Sequence, residues 1–385
     1  MINVFQPTLG DEELAAVKEV FATSWVGKGK RTAAFEQAFA RHLGVGDDHV
    51  MSVNSCTEAT FLAMQLLGVG PGTDVVVSTV GFVSEGNAVA AQGARPVFCD
   101  VDPATLNPTV DDVAAALTPK TKAVLLLHYA GYPGDVVEIA ELCRERGVHL
   151  VEDSACSVAS RVDGQACGTI GDIGVWSFDF GKVVVAGDGA ILHARDPELV
   201  ERGRKLAYLG LEQTSGYSQA NQTNTRWWEY EISSFSRRSV MNDIQAAIGT
   251  VQLGRLQEFL DRRRRIVAYY DAELADLAEV RTPPPLPSGH ETSYYMYWVQ
   301  MDAGIRDEVA QDLYERGIYT TLRYPPLHRV KAYGFDGRLP AAEEAAERTL
   351  CLPLHNGLSD ADVEATVTAF REAVRARSVV AGTHR

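Results

Sequence analysis

Apolar positions along this chain alternate between two periods. In TAAFEQAFARHLG, Phe35, Ala38, Phe39 and Leu43 recur at helical spacing. TEATFLAMQLLG repeats that pattern from Thr57, with Gly68 as its stop. Short continuous apolar runs follow: DVVVS (74–78), RPVFCDVD (95–102), KAVLLLHYA (122–130), VHLVED (148–153), GVWSF (174–178) and GAILHA (189–194). Helical patterns separate several of them, as in GDVVEIAELCRERG between Asp135 and Gly147. Continuous apolar strands divided by helices predict an α/β architecture whose central sheet is mostly parallel and buried on both faces.

The rhythm breaks over residues 209–237, a polar stretch rich in Gly, Ser, Asn and Gln that ends in aromatics. Connections this long in a compact domain are usually functional or mobile. A long helical pattern runs from Met241 to Leu274, and RTPPPLPSGHE then marks a seam. The remaining segments, YYMYWVQMD, RDEVAQDLYERGI and DADVEATVTAFREAV, predict a smaller α+β unit. We therefore expect a large domain over 1–250 and a small one over 251–385.

With 385 residues, 46% of them hydrophobic, the chain can bury a core of that size. A net charge of -15 argues against nucleic-acid or anionic-membrane binding, and any anionic ligand must be held by a local site. The N-terminus lacks a basic region followed by an apolar run, and no apolar stretch reaches the length of a membrane span. Six scattered cysteines without CxxC pairs read as reduced thiols, so a cytoplasmic location is expected. Nine histidines form no HxxxH or HExxH pattern, and no metal site is expected.

Candidate chemistry lies where an open α/β sheet places its ligands, beyond the carboxyl ends of the strands. VNSCTEAT (53–60) is a small-residue turn that opens a helix. Its backbone N–H groups near Cys56 and the Thr57 hydroxyl suit a phosphate; a plain cap by Ser55 or Thr57 is the competing reading. VEDSACS (151–157) puts two acids at a strand end, either to cap a helix or to pair with a buried cation. In FDFGKVVVAGDGA, Lys182 stands among Phe, Gly and Val, the only lysine between Lys122 and Lys205. It either snorkels out of an apolar segment or is a desolvated amine with a lowered pKa, kept for covalent work. An amine, an acid on a neighbouring strand and a helix-start phosphate site are together what pyridoxal phosphate (PLP) requires: the amine carries the aldehyde as a Schiff base, and the acid keeps the pyridine nitrogen protonated.

These blocks, in this order, resemble the DegT/StrS family of PLP-dependent nucleotide-sugar aminotransferases nearly end to end. The resemblance is carried by PTLGDEELAAVKEV, FEQAFARHLGV, NSCTEATFLAMQLLGVGPGTDVVVSTVGFV, LLLHYAGYPGD, HLVEDSACSVAS, GDIGVWSFDFGK, MNDIQAAIGTVQL and LPAAEEAAERTLCLPLH. It implies a fold-type-I transferase, a homodimer with shared active sites, and amino transfer from L-glutamate or L-glutamine to a ketosugar by way of pyridoxamine phosphate. The ketosugar implied is a nucleotide-linked 3- or 4-keto-deoxyhexose; a cyclitol or a sugar phosphate is the alternative. By the same resemblance Lys182 binds the cofactor and shuttles the proton, and Asp153 holds the pyridine nitrogen. Phe82 stacks on the ring, with ordinary core packing as the alternative. Cys56, Thr57 and Ser177 hold the phosphate, and Arg238 reaches the phosphate of the partner subunit.

Departures from the family pattern are Cys56 where glycine is frequent, Cys156 where glutamine is frequent, GDGA at 187–190, and Arg238 in place of asparagine. The lysine argues against the family's sugar 3-dehydratases, which carry a histidine there, and the full set of candidate groups argues against a non-catalytic relative. For substrate recognition, Trp227, Trp228 and Tyr230 offer stacking surfaces or simply pack the loop end down; Arg31, Arg323 and His328 offer positive charge, with a surface turn made rigid by Pro325 and Pro326 as the alternative for the last two, and GKGKR (27–31) is either a basic rim or a solvated turn.

Overall fold

The computed structural model describes residues 1–212, 226 and 228–382, and side chains as far as Arg377. Helices α1 (Asp11–Ala22) and α2 (Lys30–Leu43) precede strand β1 (Val50–Val53) and helix α3 (Cys56–Leu66). Then come β2 (Asp74–Ser78), α4 (Val83–Ala91), β3 (Arg95–Cys99), α5 (Val110–Ala116), β4 (Thr121–Leu127), α6 (Val136–Arg146) and β5 (His149–Asp153). A short hairpin, β6 (Arg161–Val162) and β7 (Gln165–Ala166), leads to β8 (Ile173–Ser177), β9 (Ala190–Ala194) and α7 (Pro197–Leu206).

Seven of these strands form one sheet in the order β1-β9-β8-β5-β4-β2-β3. Strand β9 runs against both its neighbours, and the other four pairings are parallel. Six strands therefore point their carboxyl ends to one edge. Alternate residues feed opposite faces: Val75, Val77, Leu125 and Val151 pack with Leu62, Ala88 and Val200 on one side. Val76, Val124, Leu126 and Leu150 pack with Val113, Ile139 and Cys143 on the other. Burial on both faces is why these strands read as unbroken apolar runs.

The helix pattern expected as one run from Met241 breaks into α8 (Asp243–Gly254) and α9 (Leu256–Leu274) at Arg255, whose φ of -93° and ψ of 1° leave the helical region. The remainder is α10 (Ala303–Glu315), α11 (Pro340–Arg348) and α12 (Asp360–Gly382), with β10 (His290–Glu291) on the hairpin and β11 (Tyr297–Gln300) paired antiparallel to β12 (Thr349–Leu352). A separate core joins Ile266 and Tyr270 to Val299, Leu313, Leu352 and Phe370. Among the described residues no helix is long and apolar enough to cross a membrane.

Distant side chains fix the helix ends near the sheet edge. Gly29 caps α2 without a side chain of its own, so the Asp243 carboxylate does that work, accepting from the Gly29, Arg31 and Thr32 N–H groups at 2.8, 3.2 and 2.9 Å. Lys28 pairs with Glu36 at 3.4 Å and Arg31 with Glu19 at 2.6 Å. Within the GKGKR segment Lys28 and Arg31 are thus already paired inside the chain. The ends of the long polar stretch are closed by bridges between Tyr208 and Arg238 and between Leu211 and Ile232. Trp227 lies outside the described residues, while Trp228 and Tyr230 are exposed.

Candidate active site

The common carboxyl edge of the parallel strands gathers the sequence candidates. Cys56 and Thr57 follow β1, Phe82 follows β2, Asp153 ends β5, Ser177 ends β8, and Lys182 lies five residues further on. Residues 178–189 form no strand. They are wound into a loop by bonds from Lys182 N–H to the Asp179 carbonyl (3.0 Å), Ala186 N–H to Phe178 (2.8 Å) and Phe178 N–H to Gly189 (2.9 Å). Val183 to Val185 are buried and Phe180 is exposed.

The Lys182 amine sits 4.8 Å from the centre of the Tyr295 ring. Burial pulls its pKa down, but Tyr295, Tyr324, Cys156 and Cys56 push harder the other way, leaving it well above the ordinary lysine range. Its neighbours are phenols, thiols and a carboxyl group, because the valines of its own loop turn into the core instead.

The two acids of VED divide their labour. Glu152 is fully buried and accepts from His128 Nε2 (2.8 Å) and from the N–H groups of Gly168 (2.6 Å) and Gly171 (2.5 Å). Asp153 accepts from the Ala155 N–H at 2.9 Å. Burial raises its pKa, opposed by that bond and by the charges of Lys182 and His128. Glu85, unforeseen in the sequence, caps α4 by accepting from the Phe82 N–H at 3.1 Å. Burial, then the nearby Asp153 charge, lifts its pKa well above the carboxylate range.

At α3 the cap is Ser55, whose hydroxyl accepts from the Glu58 N–H at 3.2 Å. The helix-start N–H groups of Cys56 and Thr57 lie ahead of that bond, and the Cys56 thiol is pushed up by burial and by Asp153. Cys156 is raised to about 11, first by burial. Ser177 is buried and accepts from the Asp179 N–H at 3.3 Å. Phe82 is 46% exposed, its ring 5.7 Å from that of Tyr324, so it does not serve as core packing. Arg238 is exposed and lies over the Tyr208 ring, outside the Lys182 cluster of its own chain. His328 is turned inward, bonded to the Thr79 hydroxyl at 2.6 Å and to Glu343 at 3.2 Å, so it is a structural residue and not a ligand contact.

The sequence reading missed Tyr295 and Tyr324. Their signal was the density of tyrosine in SYYMYWV and RYPP, which reads equally well as core. Tyr295 is fully buried, and its hydroxyl has no hydrogen-bond partner among the described residues; nor does Glu85 Oε2. Buried polar atoms are normally satisfied. Two orphans beside a lysine amine and an aspartate, an open phenylalanine face, and helix-start N–H groups at one end fit a polar aromatic phosphate such as PLP.

Comparison with known proteins agrees. Residues 7–371 match the DegT/DnrJ/EryC1/StrS aminotransferase family. The chain is 56% identical over 374 residues to dTDP-4-dehydro-2,3,6-trideoxy-D-glucose 4-aminotransferase of Saccharopolyspora spinosa, covering 97% of each protein. It superposes on the aminotransferase TlmJ of Streptoalloteichus hindustanus with a TM-score of 0.94 at 62% identity, covering 98% of this chain and 99% of that one. A Streptococcus pneumoniae structure solved in its PLP form gives a TM-score of 0.87 at 26% identity, covering 96% of this chain and 97% of that one. The chain belongs to the DegT/DnrJ/EryC1/StrS aminotransferase family and is a PLP-dependent sugar aminotransferase.

Proposed function

We propose that the enzyme moves an amino group from L-glutamate or L-glutamine to C4 of a nucleotide-linked 4-keto-deoxyhexose. The observation that carries the substrate class is the 56% identity, over 97% of both chains, to an enzyme named for that reaction on a trideoxyhexose. When bound, PLP supplies an electron sink for the pair left as a C–H bond next to nitrogen breaks.

The chain's own residues do the rest. Lys182 would anchor the cofactor, and its amine would serve as the base for the proton of the donor α-carbon and as the acid that returns it. For the sugar the same amine moves the proton in reverse. Asp153 holds the pyridine nitrogen; its carboxyl is buried beside Lys182, where a charged partner is needed to keep it ionised. Phe82 offers the face on which the ring stacks, and Cys56, Thr57 and Ser177 hold the phosphate.

We assign a homodimer in which Arg238 serves the partner's phosphate. Support comes from exposed apolar side chains that water alone would cover: Phe21, Trp25, Phe180, Ile232 and Phe235, the last 99% exposed. We divide the chain into a large domain over 1–250 and a small one over 251–385, supported by the separate core around β11 and β12, and place the enzyme in the cytoplasm.

The test is the visible spectrum of the protein with PLP, before and after L-glutamate, beside Lys182→Ala. A yellow band present only in the unmutated protein and bleached by glutamate is expected. A band untouched by both glutamate and glutamine would sink the donor assignment, and no band at all would sink the role of Lys182.

A further inference from the structure

Arg323 is half-buried, two stacked aromatic rings away from Lys182. Its guanidinium lies 4.5 Å from the Phe5 ring centre and 5.4 Å from that of Tyr324. Phe5 is stacked on Tyr295 at 5.3 Å, and Tyr295 is the ring beneath the Lys182 amine. Arg204 is matched to Glu36 at 3.0 Å and Arg255 to Glu13 at 3.1 Å, while Arg161 and Arg263 are held by backbone carbonyls. Among the described residues no carboxylate pairs with Arg323; its charge is held by the phenols of Tyr295 and Tyr324 and the Cys156 thiol. In a chain with 51 acidic and 36 basic residues, Arg323 stands out as a half-buried arginine whose neighbours are aromatic rings rather than acids.

Stacking uses the face of a guanidinium and leaves its in-plane N–H edge free, the edge that grips a two-oxygen anion in parallel hydrogen bonds. The two rings also fix the fork before any ligand arrives, so little side-chain freedom is lost on binding. Resting on the transaminase reading above, we propose that Arg323 is the oxyanion-recognition residue of this active site, binding the carboxylate of the amino-acid donor or the phosphate of the sugar nucleotide next to Lys182. A negatively charged protein that must admit anionic substrates needs one such counter-charge at the point of reaction.

The experiment uses the PLP-loaded enzyme and Arg323→Met, whose straight apolar stem keeps the packing on Phe5 and Tyr324. Calorimetric binding of glutarate and of inorganic pyrophosphate is measured, with thermal unfolding and the cofactor absorption band as controls. The expected result is a tenfold or greater loss of affinity for at least one anion, with band and unfolding temperature as in the unmutated enzyme. Loss for glutarate alone assigns the donor carboxylate, loss for pyrophosphate alone the sugar nucleotide, and loss for both a shared clamp. Unchanged affinity for both anions overturns the proposal. Should R323M be unstable, R323K decides: it keeps the charge but not the planar fork, so weaker anion binding under an unchanged band supports the proposal, and unchanged binding overturns it. Failure of the transaminase reading would show separately, as a glutamate-insensitive band in the unmutated enzyme.

Discussion

Replacing Glu152 by glutamine separates the two acids at the end of β5. Both Glu152 oxygens are committed: one accepts from Gly168 N–H and His128, the other from Gly171 N–H. An amide has a single acceptor oxygen. In one orientation its NH2 faces the Gly171 N–H, and in the other it faces the Gly168 N–H. Either way one bond to a charged acceptor is lost, about 1.5–3 kcal/mol, and a buried N–H is left unpaired, about 1–3 kcal/mol more. We expect E152Q to be destabilised by about 3–5 kcal/mol, read as a fall in the urea midpoint at 25 °C by tryptophan fluorescence with the slope unchanged. Neighbouring strand residues face opposite ways, so at low urea E152Q should keep the cofactor band, whereas D153N should keep the stability and lose cofactor affinity. An E152Q protein within about 1 kcal/mol of the unmutated one would refute the assignment of those three bonds as a structural clamp.

Other consequences are equally open to measurement. A Cβ on Gly174 would overlap the Gly168 carbonyl oxygen and lie 2.6 Å from the carbonyl carbon, both backbone atoms that have no rotamer to escape into. G174A should therefore lose about 3 kcal/mol or more, checked by the same urea titration. His193 and His355 are depressed by burial from 6.5 to about 4. The folded state thus resists their protonation, and the stability they contribute is intact above pH 6.5 and lost as pH falls from 6.5 toward 4, by about 3 kcal/mol each. His355→Gln should flatten that dependence in unfolding experiments across the range. Burial raises Cys143 to about 12 and Cys156 to about 11, so iodoacetamide at pH 8 should leave both unmodified in the native protein and label both in urea, as read by mass spectrometry.

What the sequence made legible was what local pattern controls. The six apolar runs mark six strands of the sheet because burial on both faces keeps their middle positions apolar and leaves polar residues mostly at their ends. The glycine stops at Gly68 and Gly147 fall just past the ends of α3 and α6, both at positive φ, 68° and 64°. Strand β1 escaped notice because VMSV is four residues long and its serine is tied to Glu36, a bond invisible to periodicity. The reversal of β9 also left no trace, since an apolar run reads the same in either direction. The end of α2 depends on Asp243, 214 positions from Gly29. Tyr295 and Tyr324, which reach Lys182, escaped notice for a related reason: they come from more than a hundred residues downstream. Contacts set by topology are not written in the neighbourhood of the residue they control.

The two bridges that close the polar stretch, Tyr208 to Arg238 and Leu211 to Ile232, have a consequence for how this scaffold diversifies. Because the ends are pinned to each other, the chain between them can change length without moving either anchor; doubling it costs only about 0.6 kcal/mol of closure entropy. The anchor next to Arg238 is itself fastened to the start of the α3 turn, through the Asn54 N–H to the Ser239 carbonyl at 2.8 Å. The anchors of the stretch therefore stand beside the turn that opens α3. Exchanging the residues between Leu211 and Ile232 among relatives offers a route to new acceptors that leaves the lysine, its aspartate and their supporting bonds untouched.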